Sequence, residues 1–169
     1  GDASGRSVSL SSDGSVVAIG APYNNGNGNY SGHVRLYQYN GAAWVQLGED
    51  IDGEAAGDYS GVSVSLSADG SIVAIGAPWN DGNGSASGHV RLFEWNGAAW
   101  VQIGDDIDGE AADDYSGMNV SLSDDGSIVA IGADSNDGNG SDSGHVRLYQ
   151  WSGFAWNQLG EDIDGEAAG

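Results

Sequence analysis

Chemistry in this chain comes in threes. His33, His89 and His145 each stand in Ser-Gly-His-Val-Arg, and Arg35, Arg91 and Arg147 follow two residues later. An imidazole can ligate a metal ion, and a guanidinium can clamp an anion. One histidine per copy leaves the three too far apart to share an ion unless they line an axis. The preferred reading is structural: each ring hydrogen-bonds a neighbouring Asp or carbonyl and locks the junction between copies. The arginines are almost the only positive charges. Each is expected to pair with a carboxylate of its own or the next copy, and a ring of Arg around an anion channel is the competing reading.

Acidic segments form the other candidate chemistry. Asp50, Asp52 and Glu54 alternate along Glu49-Asp50-Ile51-Asp52-Gly53-Glu54, and Asp106, Asp108 and Glu110 repeat the pattern. Alternating oxygen ligands with a Gly for the turn suit a hard cation such as Ca²⁺. The distal Glu of an EF-hand loop is missing, so a solvated acidic linker is the plainer reading. Asn80-Asp81-Gly82-Asn83-Gly84-Ser85 is a second possible cation loop. Its first copy, Asn24 to Asn29, has no carboxylate, which favours simple Asn/Gly turns. Tyr23 and Trp79 follow Gly-Ala-Pro, and Ser135 holds the same place in the third copy. Aromatic rings at a rim can stack on sugars or clamp a peptide, although strand-end packing also explains them. There is no Cys, no Lys, no nucleophile–base–orienter set and no Gly-rich loop opening a helix. No catalytic activity and no obligate cofactor are expected.

Charge narrows the partners. Four basic residues face 25 acidic ones, for a net charge of -21. Such a chain is repelled by nucleic acid and by anionic membranes. No apolar run approaches membrane-spanning length. The compartment is not readable without cysteines.

The elements that position these residues are themselves repeated. Gly1 to Ala56 recurs at Gly57 to Ala112 and again from Asp113 onward, so the chain divides into 1–56, 57–112 and 113–169. Such periodicity marks an array of modules. Within a copy, Ser7-Val8-Ser9-Leu10-Ser11 alternates as a half-buried strand does. Asp13-Gly14 is a hairpin turn. Val16-Val17-Ala18-Ile19 is apolar throughout and reads as a strand covered on both faces, ended by Gly20-Ala21-Pro22. His33 to Tyr39 is a third strand, Asn40-Gly41 a second turn, and Ala43 to Leu47 a fourth strand. Glu49 to Ala56 is the linker. Four antiparallel strands repeated at this spacing predict an all-β fold of β-propeller blades. A β-solenoid is the alternative, but its coils are usually much shorter.

The chain resembles the FG-GAP repeats of integrin-like β-propellers. The matching residues are Tyr59-Ser60-Gly61, the Ser-Val-Ser-Leu strand, Ile75-Gly76-Ala77-Pro78 and Gly88-His89-Val90-Arg91-Leu92-Phe93. The resemblance implies a propeller fold. The Phe of the Phe-Gly element is replaced by Ser4, Ser60 or Ser116. The family's Asp-rich calcium loop is reduced to Ser-Asp-Gly-Ser or Asp-Asp-Gly-Ser, and Asp134 replaces the third Pro. The resemblance therefore carries neither calcium binding nor integrin-like recognition to this chain.

Propellers close with four to eight blades as a rule. Three blades leave two open faces, and the last linker runs in frame toward another Gly1. Head-to-tail association closes into a ring when the rotations sum to a full turn. Two chains give six blades and three chains give nine, at roughly 60° or 40° per blade for closed rings. The inner strands carry small residues, and Trp44, Trp100 and Trp156 supply most of the outer bulk. This thin filling favours the homotrimer of nine blades over the homodimer of six. The expected function is a self-assembling structural scaffold, and the near-identity of the copies and a start without Met fit a designed or excised segment. The alternative is an extracellular, calcium-supported adhesion or carbohydrate-binding module.

Overall fold

The computed structural model describes residues 1–166, and all fifteen regular elements are strands. In the first repeat these are β1 (Ser7–Leu10), β2 (Val16–Ala21), β3 (His33–Tyr39), β4 (Trp44–Gln46) and β5 (Ile51–Asp52). The second repeat forms β6 (Ser63–Leu66), β7 (Ile72–Ala77), β8 (His89–Trp95), β9 (Trp100–Gln102) and β10 (Ile107–Asp108). The third forms β11 (Asn119–Leu122), β12 (Ile128–Ala133), β13 (His145–Trp151), β14 (Trp156–Gln158) and β15 (Ile163–Asp164).

Each repeat is one antiparallel sheet in the order β1-β2-β3-β4, with β5 also on β3. The linker is therefore more than a connection. β4 pairs with the C-terminal part of β3 (Tyr37 opposite Gln46), and β5 pairs with its start (His33 opposite Asp52). The outer strand is one strand broken in the middle. Gly48 lies in the break at φ 80°, a conformation that suits Gly, and Trp95 and Trp100 of the next blade press against it.

The turns follow from their side chains. Asp13 Oδ1 accepts from the Ser11 hydroxyl at 2.8 Å and from the Ser15 amide at 2.9 Å. Asp69 and Asp125 repeat the arrangement. These amide and hydroxyl bonds hold the Asp13 and Asp69 carboxyls below the usual range and bring Asp125 down to about 2.

The core lies between sheets. One apolar cluster joins Val16, Val34, Leu36 and Ile51 of the first blade to Val64, Leu66, Val73 and Phe93 of the second. Another joins Val90, Leu92 and Ile107 to Val129 and Ile131. The strand expected to be covered on both faces is so only where a blade stands on each side: β7 is buried from Val73 to Ala77, whereas β12 alternates.

Candidate functional site: the blade junctions

The repeated histidines, arginines and acidic residues gather where one blade meets the next. His89 and His145 open β8 and β13 and are buried at their junctions. His89 Nδ1 lies 3.6 Å from Asp106, and His145 Nδ1 lies 3.6 Å from Asp162 and 3.9 Å from Glu110. In the first blade, His33 Nδ1 is 3.4 Å from Asp50 and 3.9 Å from Asp52. None of these contacts forms a hydrogen bond. The ring-to-Asp bond expected from the sequence is replaced by a wider gap. Burial pushes the His33 and His89 imidazoles down, against the pull of the nearby carboxylates, and His89 falls to about 4. The His33 and His89 rings are therefore neutral at pH 7.

The arginines divide by position in the array. Arg91 donates to the Asp52 carbonyl at 2.7 Å and pairs with Glu54 at 3.6 Å. Arg147 donates to the Asp108 carbonyl at 2.9 Å and pairs with Glu110 at 3.4 Å. Both partners come from the preceding repeat, not the following one, because each linker runs on past its own sheet edge to the next blade's third strand. The buried guanidiniums also lie over Phe93 and Tyr149 at 5.4 and 5.6 Å. Arg35 has no blade before it. It turns to its own Asp50 at 3.0 Å and leaves its side chain 42% exposed.

The three carboxylates of one linker do not converge as an oxygen cage. Asp50 faces Arg35 and Gln46, while Glu54 crosses to Arg91. Asp106 and Glu110 split the same way, with Asp106 on Gln102 and Glu110 on Arg147. Burial pushes Asp50 up, but its bonds to Arg35 and Gln46 outweigh that and hold it below the usual range. Burial and neighbouring acids push Glu54 and Asp108 up, Glu54 despite Arg91. What the junction does bring together is Glu54, His89 and Asp106, with ligating atoms all within 4.8 Å of one another. Glu110, His145 and Asp162 repeat the triad. Sequence reading missed these groups because each draws on two repeats.

The tryptophans seal the outer edge of the same junctions. The Trp100 indole donates to the Leu47 carbonyl at 2.8 Å, and Trp156 to Ile103 at 2.9 Å, each reaching the preceding blade. Trp44 has no blade to reach and is 47% exposed. Tyr23, Tyr30, Tyr59, Trp79 and Tyr115 form a row of neighbouring rings, with Tyr30 and Tyr59 stacked at 5.6 Å. Asn80 and Asn136 hydrogen-bond Asp58 and Asp114, so this loop holds the blade together through its asparagines.

Residues 51–93 match the family described as the FG-GAP repeat. No curated protein sequence matches the chain. Among solved structures, a "putative 6-phosphogluconolactonase" from Bacteroides uniformis ATCC 8492 is similar at 11% identity with a TM-score of 0.62. The match covers 94% of this chain and 40% of that one. This chain thus spans well under half of that protein, and the likeness is one of fold. The chain is an array of three β-propeller-type blades, and the segment 51–93, whose sequence and sheet recur on either side, is similar to the FG-GAP repeat.

Proposed function

We propose that this chain is a structural scaffold whose activity is assembly: copies associate head to tail and close into a ring, without catalysis. One observation carries the reading. Inside the chain, the Ser60-Gly61 turn of the second blade sits in a groove of the first, with the Ser60 amide on the Ser31 carbonyl at 3.0 Å and the Ser7 hydroxyl on the Gly61 carbonyl at 2.8 Å. Ser116-Gly117 fills the same groove in the second blade. In the third blade the groove is an open concavity of about 400 Å³ lined by Gly132, Ser143, Gly144 and Gly165. The matching turn at the other end of the chain is Ser4-Gly5.

The apolar faces agree. Val8 and Leu10 are 63% and 59% exposed, while their equivalents Val64 and Leu66 are buried against the first blade. At the far end Ile163 is 60% exposed, while Ile51 and Ile107 are buried. Each open face is the surface that its counterpart buries within the chain, which defines a heterologous contact. Small inner residues favour three chains and nine blades over two chains and six. Light scattering after size exclusion tests the proposal. Three times the chain mass of 17.2 kDa gives the nine-bladed ring, and twice the chain mass gives the six-bladed one. A folded monomer at micromolar concentration overturns ring assembly.

The aromatic row supports a second reading, a carbohydrate-binding module. Tyr23 and Tyr30 are each 41% exposed beside Tyr59. A glycan array is the check. Binding lost on Tyr23→Ala favours it, and no binding removes it.

A further inference from the structure

We propose that each blade junction is a binding site for a first-row divalent transition metal ion of the Zn²⁺ class, held by Glu54, His89 and Asp106 at one junction and by Glu110, His145 and Asp162 at the other. The imidazole is the decisive group. The His145 side chain is 1% exposed, and its Nδ1 has no hydrogen-bond partner among the described residues. A buried imidazole nitrogen facing two carboxylates across 3.6 and 3.9 Å is too far for a hydrogen bond. It is close to the ~3.4 Å edge of a tetrahedron built on ~2.1 Å metal–ligand bonds. Small movements of the exposed Glu110 chain close the difference.

The carboxylates are held as ligands are. Asp162 Oδ1 accepts from the Gln158 amide, and Oδ2 faces His145. Asp106 repeats this, with Oδ1 on Gln102 at 2.7 Å and Oδ2 toward His89. Glu110 Oε1 faces Arg147 while Oε2 faces His145. Each acid spends one oxygen on an orienting donor and turns the other to the imidazole, the outer-shell pattern that fixes metal ligands. One nitrogen and two carboxylate oxygens suit Zn²⁺, Co²⁺ or Ni²⁺, whereas Ca²⁺ takes oxygen alone.

A third site follows from the repeat and rests on the assembly reading. His33 and Asp50 hold the places of His89 and Asp106, and the residue matching Glu54 is Glu166, at the other end of the chain. Glu166 of a second copy would complete that triad.

Chelator-stripped protein is titrated with Co²⁺, followed by its visible d–d bands, and with Zn²⁺ in calorimetry, beside its native mass. Glu54→Gln with Glu110→Gln, both on exposed side chains, is expected to weaken binding at the two internal sites at least about tenfold with an unchanged circular dichroism spectrum. Glu49→Gln with Asp105→Asn, the same charge change outside the triads, is expected to leave binding intact. Two ions per chain in a monomer support the internal sites and overturn the shared one together with the assembly. Three per chain in a ring support all three sites, and two in a ring overturn the shared site alone. No binding, or equal loss in both variants, overturns the metal reading whatever the mass.

Discussion

At the scale of single residues, repetition separates what a side chain can do from what its surroundings let it do. Arg35 and Arg91 are the same residue in the same motif. One folds back onto Asp50 and the other reaches across to Asp52 and Glu54, because only Arg91 has a blade before it. Asp13, Asp69 and Asp125 have the opposite character, since each turn satisfies its own carboxylate within a few residues. Their depressed pKa values give a stability term with a definite sign. Carboxylates whose pKa is lowered by folding contribute stability that is complete above the unfolded value of 3.8 and is lost as pH falls through the folded one, about 2 for Asp125. In the triple variant Asp13→Asn, Asp69→Asn and Asp125→Asn, the amide oxygen still accepts from the turn but no longer titrates. Thermal melts between pH 4 and 2 are expected to show a shallower acid slope in that variant. An unchanged slope would remove these turns from the acid response.

Elements were the most legible part of the sequence. The apolar alternation and the Asn-Gly turn placed His33 to Tyr39 as a strand with the bounds that β3 has. Two-residue β5 was not legible, since Ile51-Asp52 carries no period and its pairing depends on a break at Gly48 that only the next blade explains. The junction triads were unreadable for the same reason. Glu54, His89 and Asp106 acquire meaning together only when two sheets are stacked. The energetic weight of stacking can be read by comparing equivalent positions. Leu66 is 7% exposed on β6, and Leu10 is 59% exposed on β1. Leu66→Ala is expected to cost about 2–5 kcal/mol in denaturant unfolding, the range for an emptied core site. Leu10→Ala should cost under about 0.5 kcal/mol in chain diluted below its assembly range, as a surface change does. At concentrations that sustain a ring, the two losses should converge. A large loss for Leu10→Ala in the dissociated chain would mean that β1 is covered without a second copy.

At the scale of the whole molecule, the two ends of the array bear on closure through one glycine. In the inner strand pair of each blade, Gly20 and Gly76 lie so close to the following blade that an added Cβ would collide with the Gly61 or Gly117 carbonyl oxygen. Gly132 holds the same place in the third blade, where an added Cβ would meet nothing nearer than Asn119 at 3.7 Å. Its backbone is not in the left-handed region, so alanine fits it without strain. A single chain therefore has no steric need for glycine at 132, whereas a ring does, because the Ser4-Gly5 turn of the next copy would arrive there. Gly132→Ala is accordingly expected to leave the chain folded, with an unchanged circular dichroism spectrum, and to reduce its native mass to that of one chain. Gly76→Ala forces the same collision inside the chain and is expected to lower the melting temperature whatever the state of assembly. Should Gly132→Ala keep the mass of the parent, the third blade's groove is not where copies meet, and any ring must form through another surface.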